Sequence, residues 1–582
     1  MKLEWTLDEL FKNDEKLFNE IANVKKLIRN ITKYKNKNLN AKSLYNLLNK
    51  KWEIKELTNN VLVYGSLRYY KNIKDETCIK LKTKVEKFKN YVDSKLSFID
   101  LKIIELGQEK INNYILENPK LNTYKHSIDN LFRLRSHLQS EETNNIIKNN
   151  LNIINSNLTT YNTLVKDTKY QNIIIDGKET ELNAININKF LASKNRETRK
   201  DAYFSLNEAF KAQNNKFASI LNTILGKRIE NAKLENYNNI IEKVLFEENI
   251  NAKIIDTLIK SVNDNLPLIQ RYLNLKAKTL KIEDPHLYDF SVPIIANVAP
   301  KYTIKEAISI IKKALKPLGR DYLKVVNKLL KNHIDATPNE EKHQAITFSW
   351  HTYSFLNFRG NYIDLKNLIH ELGHIVNYYL SKENLPFIYE DSTIFVGEVA
   401  STTNEILLNK YLYNNSKNDK EKIFYLSKEI ESYFTLLYKQ TMYTEYEQIL
   451  YKIRKNTDLT SEILSNNYEK LIKKYYGQDI TYDDISSTEW ARLGHTYRYS
   501  YYTYKYATAL IMASIVVNNL VNDKTLTKKQ YLKFLAAGSS NYSLDLLKLL
   551  DIDLTNSNTI NNGFKVLEND INELESLLNQ NN

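Results

Sequence analysis

Apolar residues recur every three or four positions through most of the chain, the spacing of amphipathic helices. Leu17, Ile21, Val24, Ile28 and Ile31 set the pattern, and Thr6 with Glu9 fits a capping box ahead of them. It continues over 40–165, with Asn-, Lys- and Thr-rich breaks near 119–124 and 140–144, and again over 203–283. Residues 303–315 and 318–330 predict two helices parted by Pro317. More follow over 421–455 and 461–475, and Leu567–Leu578 makes an acidic amphipathic end. Two stretches depart from this. Asn172–Leu182 surrounds Asp176-Gly177, the mark of a β-hairpin with a tight turn. Ala345–Phe358 reads as strand. The expectation is a mainly α fold with a small β element, an N-terminal helical lobe over 1–185 and a larger domain over 186–582.

Composition agrees: 12 Gly and 8 Pro are too few for a sandwich or barrel built on many tight turns. The net charge is +14, yet Lys and Arg are spread along the chain and not gathered in a stripe, which argues against a nucleic-acid partner. A single cysteine, Cys78, permits no intrachain disulfide and suits a reducing compartment. The start, MKLEWTLDELF, lacks a signal peptide's apolar core. The longest apolar run, Ala507–Val517, is broken by Thr508 and Ser514 and is far short of the roughly 20 residues that span a membrane. We therefore expect a soluble, cytoplasmic protein without a membrane partner. Nothing in the pattern sets an oligomeric state.

The stretch Asn367–Leu380, NLIHELGHIVNYYL, changes the picture. His370 and His374 are four apart, so on a helix they share one face. Two neutral imidazoles bind Zn²⁺ well, and Glu371 beside them can take a proton from water: the H-E-x-x-H pattern of zinc proteases. Leu368, Ile369, Leu372, Ile375, Val376 and Tyr379 make an apolar face that would bury the histidines. A third ligand is needed, and Glu398 is a candidate, at the start of a helix running through Ile406, Leu407, Leu408 and Tyr411. The 23 residues between His374 and Glu398 suffice to end one helix, turn near Pro386 and return. One Zn²⁺ held by His370, His374 and Glu398 is the expectation. Glu405, two turns further on, is placed to bond a ligand histidine.

The residues HELGH and FVGEVASTTNE, with a third block Trp490–Thr508 (WARLGHTYRYSYYTYKYAT), resemble the oligoendopeptidase F branch of the thimet-oligopeptidase family of zinc metallopeptidases. Asn195–Arg199, Asp284–Pro293 and 529–582 resemble other family segments, with Asn195 in place of the family's Asp and Asp551 in place of its usual Gly. The resemblance implies a large helical zincin-type metallopeptidase, its small β element beside the active-site helix and its N-terminal lobe enclosing a cleft for short oligopeptides. It implies that His495, Tyr497 and Tyr504 donate hydrogen bonds to substrate and to the developing oxyanion. It departs at Gln344 and Ile346, where a Gly and an aromatic are expected. His351 is a candidate fourth site histidine, with a place on the strand surface the favoured reading. Three alternatives stay open: a peptidyl-dipeptidase of the same fold, an inactive peptide-binding relative, and a basic helical nucleic-acid binder.

Overall fold

The computed structural model describes residues 3–295, 298, 300–343, 347–522 and 526–580. Helices carry most of it. Among the described residues five short strands, β1 (Ile173–Ile175), β2 (Lys178–Thr180), β3 (Ile334–Asp335), β4 (Phe348–Trp350) and β5 (Tyr353–Phe355), make two small sheets. The chain packs into two compact units, each built from three stretches. The first takes Met1–Ser136, Pro300–Leu408 and Asp523–Leu550; the second takes His137–Ala299, Asn409–Asn522 and Asp551–Asn582. Packing thus divides the chain elsewhere than near residue 185, which falls inside the second unit. Helical periodicity is blind to this, because an apolar stripe looks the same whichever neighbour covers it. Among the described residues, no helix is long and apolar enough to cross a membrane.

In the first unit, three long helices come first: Asp14–Ile31, Ala41–Lys71 and Glu76–Leu96. The stripe from Leu17 to Ile31 is buried as expected. The capping box at Thr6 and Glu9 does not form. Asn13 is the cap, accepting from Lys16 N, while Thr6 donates its N–H to Asn332 O at 3.1 Å. The competing force is burial of Trp5, whose ring meets Tyr353 and Phe355 with centroids 6.2 and 5.6 Å apart. In the three-stranded sheet β5 is central, parallel to β3 and antiparallel to β4. The expected strand over 345–358 therefore folds back at His351–Thr352. The departure at Gln344 and Ile346 lies outside the described residues. Lys342 is buried, its Nζ donating to Asp335 Oδ1 at 2.8 Å and to the Thr337 and Leu356 carbonyls at 2.9 Å.

In the second unit, β1 and β2 pair around Asp176 and Gly177, both at positive φ (50° and 75°), the turn expected of Asp-Gly. Asn195 caps the helix Arg196–Lys211 by accepting from Thr198 N at 3.1 Å. Arg196 and Arg199 both bond the buried Asp289 carboxylate, so two of the segments that resemble the family are tied together. Asp551 has φ 56°, the left-handed region that a glycine enters freely. Many of the tyrosines are core residues here, among them Tyr272, Tyr433, Tyr438, Tyr446, Tyr468 and Tyr475.

Candidate metal centre

The residues of the centre lie in the first unit, on the helices Tyr362–Asn384 and Ile394–Asn414. The first opens on a capping box between Asn361 and Asp364 and ends two residues before Pro386. The second begins one turn ahead of Glu398, earlier than expected. They meet at Gly373. A Cβ there would stand 2.5 Å from Ser401 Cα and 2.8 Å from Ala400 O and Ser401 N, so any larger residue would push the second helix away.

That approach brings Glu398 to the two histidines. His370 Nε2 and His374 Nε2 are 3.1 Å apart, and Glu398 Oε2 lies 3.8 and 3.9 Å from them. A point equidistant from the three atoms is about 2.1 Å from each, the length of zinc bonds to imidazole nitrogen and carboxylate oxygen. The three residues therefore fit a zinc ion, and among the described residues they are the cluster able to hold a metal.

The donors are themselves held. Glu405 Oε1 is 2.5 Å from His370 Nδ1, which leaves Nε2 as the ring nitrogen that faces Glu398 and His374. Lys366 Nζ pairs with Glu405 Oε2 at 2.9 Å. Ser401 Oγ donates to Glu398 Oε2 at 3.2 Å. Asn404 Nδ2 donates to Ile369 O at 3.2 Å while its Oδ1 accepts from Tyr322 OH at 2.9 Å. Glu371 is 5% exposed, and Ser349 Oγ donates to its Oε2 at 2.5 Å.

Charge at this point is biased. Burial pulls the His370 imidazole down, but the Glu405 hydrogen bond and charge outweigh it and lift it to about 9. Burial also lowers His374, helped by the neighbouring His370. Burial raises Glu405, yet Lys366 and His370 hold it at about 2. The surroundings thus favour one positive charge where the three donors meet.

His351 is not a strand-surface residue. It begins the β4–β5 turn at φ 56°, stacks on Tyr378 (4.7 Å, 8°), and its Nε2 is 2.6 Å from Asn59 Nδ2. Burial lowers it to about 3, so it stays neutral.

The third block lies in the second unit. His495 is exposed, with the rings of Tyr499, Tyr502 and Tyr506 around it. Tyr497 is fully buried, stacked on Tyr161 (4.0 Å, 22°), with its hydroxyl directed at Phe217 O (3.4 Å). It occupies a packing position in place of the presented donor that was expected, because its ring is what fills the space beside Tyr161. Tyr504 is fully buried as well. Burial holds both phenols far above their ordinary range, so both keep their protons. The backbone of this block is gripped by Arg228: Nη1 donates to Thr496 O (3.0 Å) and Tyr499 O (2.9 Å), and Nη2 to Tyr497 O (2.7 Å). Glu447 accepts from Tyr501 N at 2.9 Å, where the chain passes through φ 47°.

Ser349, Lys366, Ser401 and Arg228 escaped the sequence reading. Lys366 is one turn before His370 and so readable on the same face. Ser401 is three residues from Glu398 and readable likewise. Ser349 and Arg228 come from distant segments and carry no local signal.

Comparison with known proteins identifies the family. The model of Peptidase family M3 matches residues 189–566, and that of Oligopeptidase F matches 102–167. Oligopeptidase PepF of Bacillus subtilis is 31% identical over 99% of this chain and 87% of its own length. Group B oligopeptidase PepB of Streptococcus agalactiae is 28% identical over 99% and 97%. Among solved structures, oligoendopeptidase-F from Enterococcus faecium superposes with a TM-score of 0.76 at 26% identity, covering 97% of this chain and 99% of that one. With the family model spanning most of the chain and relatives matching nearly all of it, the protein belongs to peptidase family M3 and is a metallo-oligopeptidase.

Proposed function

We propose that the chain is a zinc-dependent endopeptidase acting on short unstructured oligopeptides in the cytoplasm. The observation that carries this is the meeting of His370 Nε2, His374 Nε2 and Glu398 Oε2 at zinc-bond spacing, next in sequence to the buried carboxylate of Glu371. Bound zinc supplies Lewis acidity, making water a nucleophile near neutral pH and polarising a peptide carbonyl. The protein's own groups do the rest. His370, His374 and Glu398 would hold the ion. Glu371 takes a proton from the attacking water and passes it to the departing amine. His495, the exposed member of its block, is the donor assigned to substrate, one such hydrogen bond to an oxyanion being worth about 10²–10³ in rate, while Tyr504, fully buried, is not presented to it. Tyr497 supports its block by packing. The names of the relatives support oligopeptides as substrates, and the single buried Cys78 suits a reducing compartment.

The test uses quenched peptides capped at both ends, so that only internal cleavage is read. Wild type with one zinc per chain is expected to cleave them, to stop on chelation, and to recover with zinc. Glu371→Gln is expected to keep its zinc and lose about 10²–10⁴ in turnover. Cleavage that survives chelation, or an E371Q variant at the wild-type rate, overturns the reading. Cleavage of uncapped peptides alone would point to a peptidyl-dipeptidase.

A further inference from the structure

Ser349 places a hydroxyl on Glu371, the proposed general base. Ser349 Oγ lies 2.5 Å from Glu371 Oε2 and 3.2 Å from the Glu371 carbonyl. Among the described residues, the other carboxylate oxygen, Oε1, has no hydrogen-bond partner. A carboxylate with one oxygen tethered and one free has a single orientation in which it can receive a proton.

Strand geometry explains why Ser349 can do this. Side chains alternate across a strand. Phe348, on one face of β4, packs on Tyr70 and Phe355, with centroids 4.9 and 5.4 Å apart. Ser349 must then point to the other face, where the HELGH helix lies. The register Ser349↔Ser354 fixes its place along the strand. The turn that follows is locked to the same helix, since His351 stacks on Tyr378, two turns on from Glu371. His351 adopts a positive φ to do so, a conformation that costs a non-glycine residue energy and is kept where neighbours impose it.

We propose that Ser349 is a positioning residue for catalysis: its hydroxyl holds Glu371 Oε2 so that Oε1 faces the water to be deprotonated, with the His351–Tyr378 stack setting the distance. This rests on the zinc-peptidase reading and deepens it. Ser349 transfers no proton and binds no metal. It therefore acts on turnover and leaves substrate and zinc binding alone.

The experiment compares wild type with Ser349→Ala and Ser349→Thr as zinc-loaded full-length enzymes. For S349A we expect kcat to fall about 10- to 50-fold, with KM, melting temperature and zinc affinity (by chelator competition) within about two-fold of wild type. Thr keeps the hydroxyl and suits a strand, so S349T is expected to recover most of the loss. In an E371Q background, S349A should cost nothing further, because the group it aims is gone. An S349A variant with kcat within two-fold of wild type overturns the proposal. So does a loss that comes with weaker zinc binding or lower melting temperature, which would make Ser349 structural, and so does failure of Thr to rescue. If wild type itself does not cleave peptides in a zinc-dependent way, the peptidase reading falls first and Ser349 falls with it.

Discussion

In the metal centre, side chains hold side chains. Glu405 holds His370, Lys366 holds Glu405, Ser401 holds Glu398 and Ser349 holds Glu371. In the His495 block, the holding falls on the backbone. Arg228 takes three carbonyls and Glu447 takes an amide, while His495 stays exposed among tyrosine rings. The contrast fits what each region is proposed to do. Metal ligands must stand within about 0.2 Å of fixed positions, which only immobilised side chains achieve. A group that meets substrate needs a fixed base and a free end. Each region can therefore be broken in its own way, and the breaks should not resemble each other.

The largest effect is expected at Gly373. A methyl group there meets Ser401 Cα at 2.5 Å, so Gly373→Ala must shift the second helix and carry Glu398 off the histidines. Overpacking of this kind costs about 1–3 kcal/mol of stability. Zinc affinity is expected to fall about 100-fold, activity with it, and both are read by chelator competition and peptide turnover. An alanine variant with native zinc affinity would mean that the close helix approach does not set the ligand geometry.

Next comes pH. In the zinc-free protein His370 is raised to about 9, so near pH 7 zinc must displace a proton to bind. Zinc affinity is expected to rise about tenfold per pH unit between roughly pH 7 and 8.5, and to flatten above about 9. The stability of the zinc-free protein carries the same signature. The His370 contribution is fully present below the unfolded value of 6.5 and is lost as pH rises through about 9. The Glu405 contribution is present above the ordinary 4.5 and is lost as pH falls towards about 2. Glu405→Gln removes both and should weaken zinc binding about 10- to 100-fold. If zinc titrations show no pH slope across neutrality, the Glu405–His370 bond is not acting as placed.

How far the sequence could reach follows from the same contrast. The helix Tyr362–Asn384 was readable because its two histidines are four residues apart and its apolar face is continuous. Glu398 and Glu405 were readable because they share one helix with small and apolar neighbours. Asp176-Gly177 announced its turn, and Asn195 its cap. What stayed hidden joins distant segments. No local pattern shows that Ser349 reaches Glu371, that Arg228 reaches residues 496–499, or that the N-terminal helices share a unit with the metal centre. Thr6 and Glu9 misled because a capping box is a local preference, and burying Trp5 outweighs it. Tyr497 misled because, in a chain with 41 tyrosines, motif position alone does not separate a donor from a packed ring.

The smallest effect on turnover, and the sharpest test of the contrast, is expected at Arg228. Its guanidinium is buried and serves three carbonyls from two nitrogens. A flexible lysine cannot reproduce that planar fork. Arg228→Ala leaves those carbonyls without their donor at an estimated cost of about 2–3 kcal/mol, read as a lower denaturation midpoint. Zinc affinity should not change, because every side chain that holds the metal ligands is elsewhere. Turnover should fall about tenfold as His495 loses its fixed base. Arg228→Lys should recover part of the stability and less of the rate, since one ammonium can satisfy some of the carbonyls but not fix their relative positions. An R228A enzyme that loses zinc would show that backbone grip and metal geometry are one system. One that keeps both stability and rate would show that the turn after His495 holds its shape unaided, so that the exposed histidine owes its place to the tyrosine rings and not to the arginine.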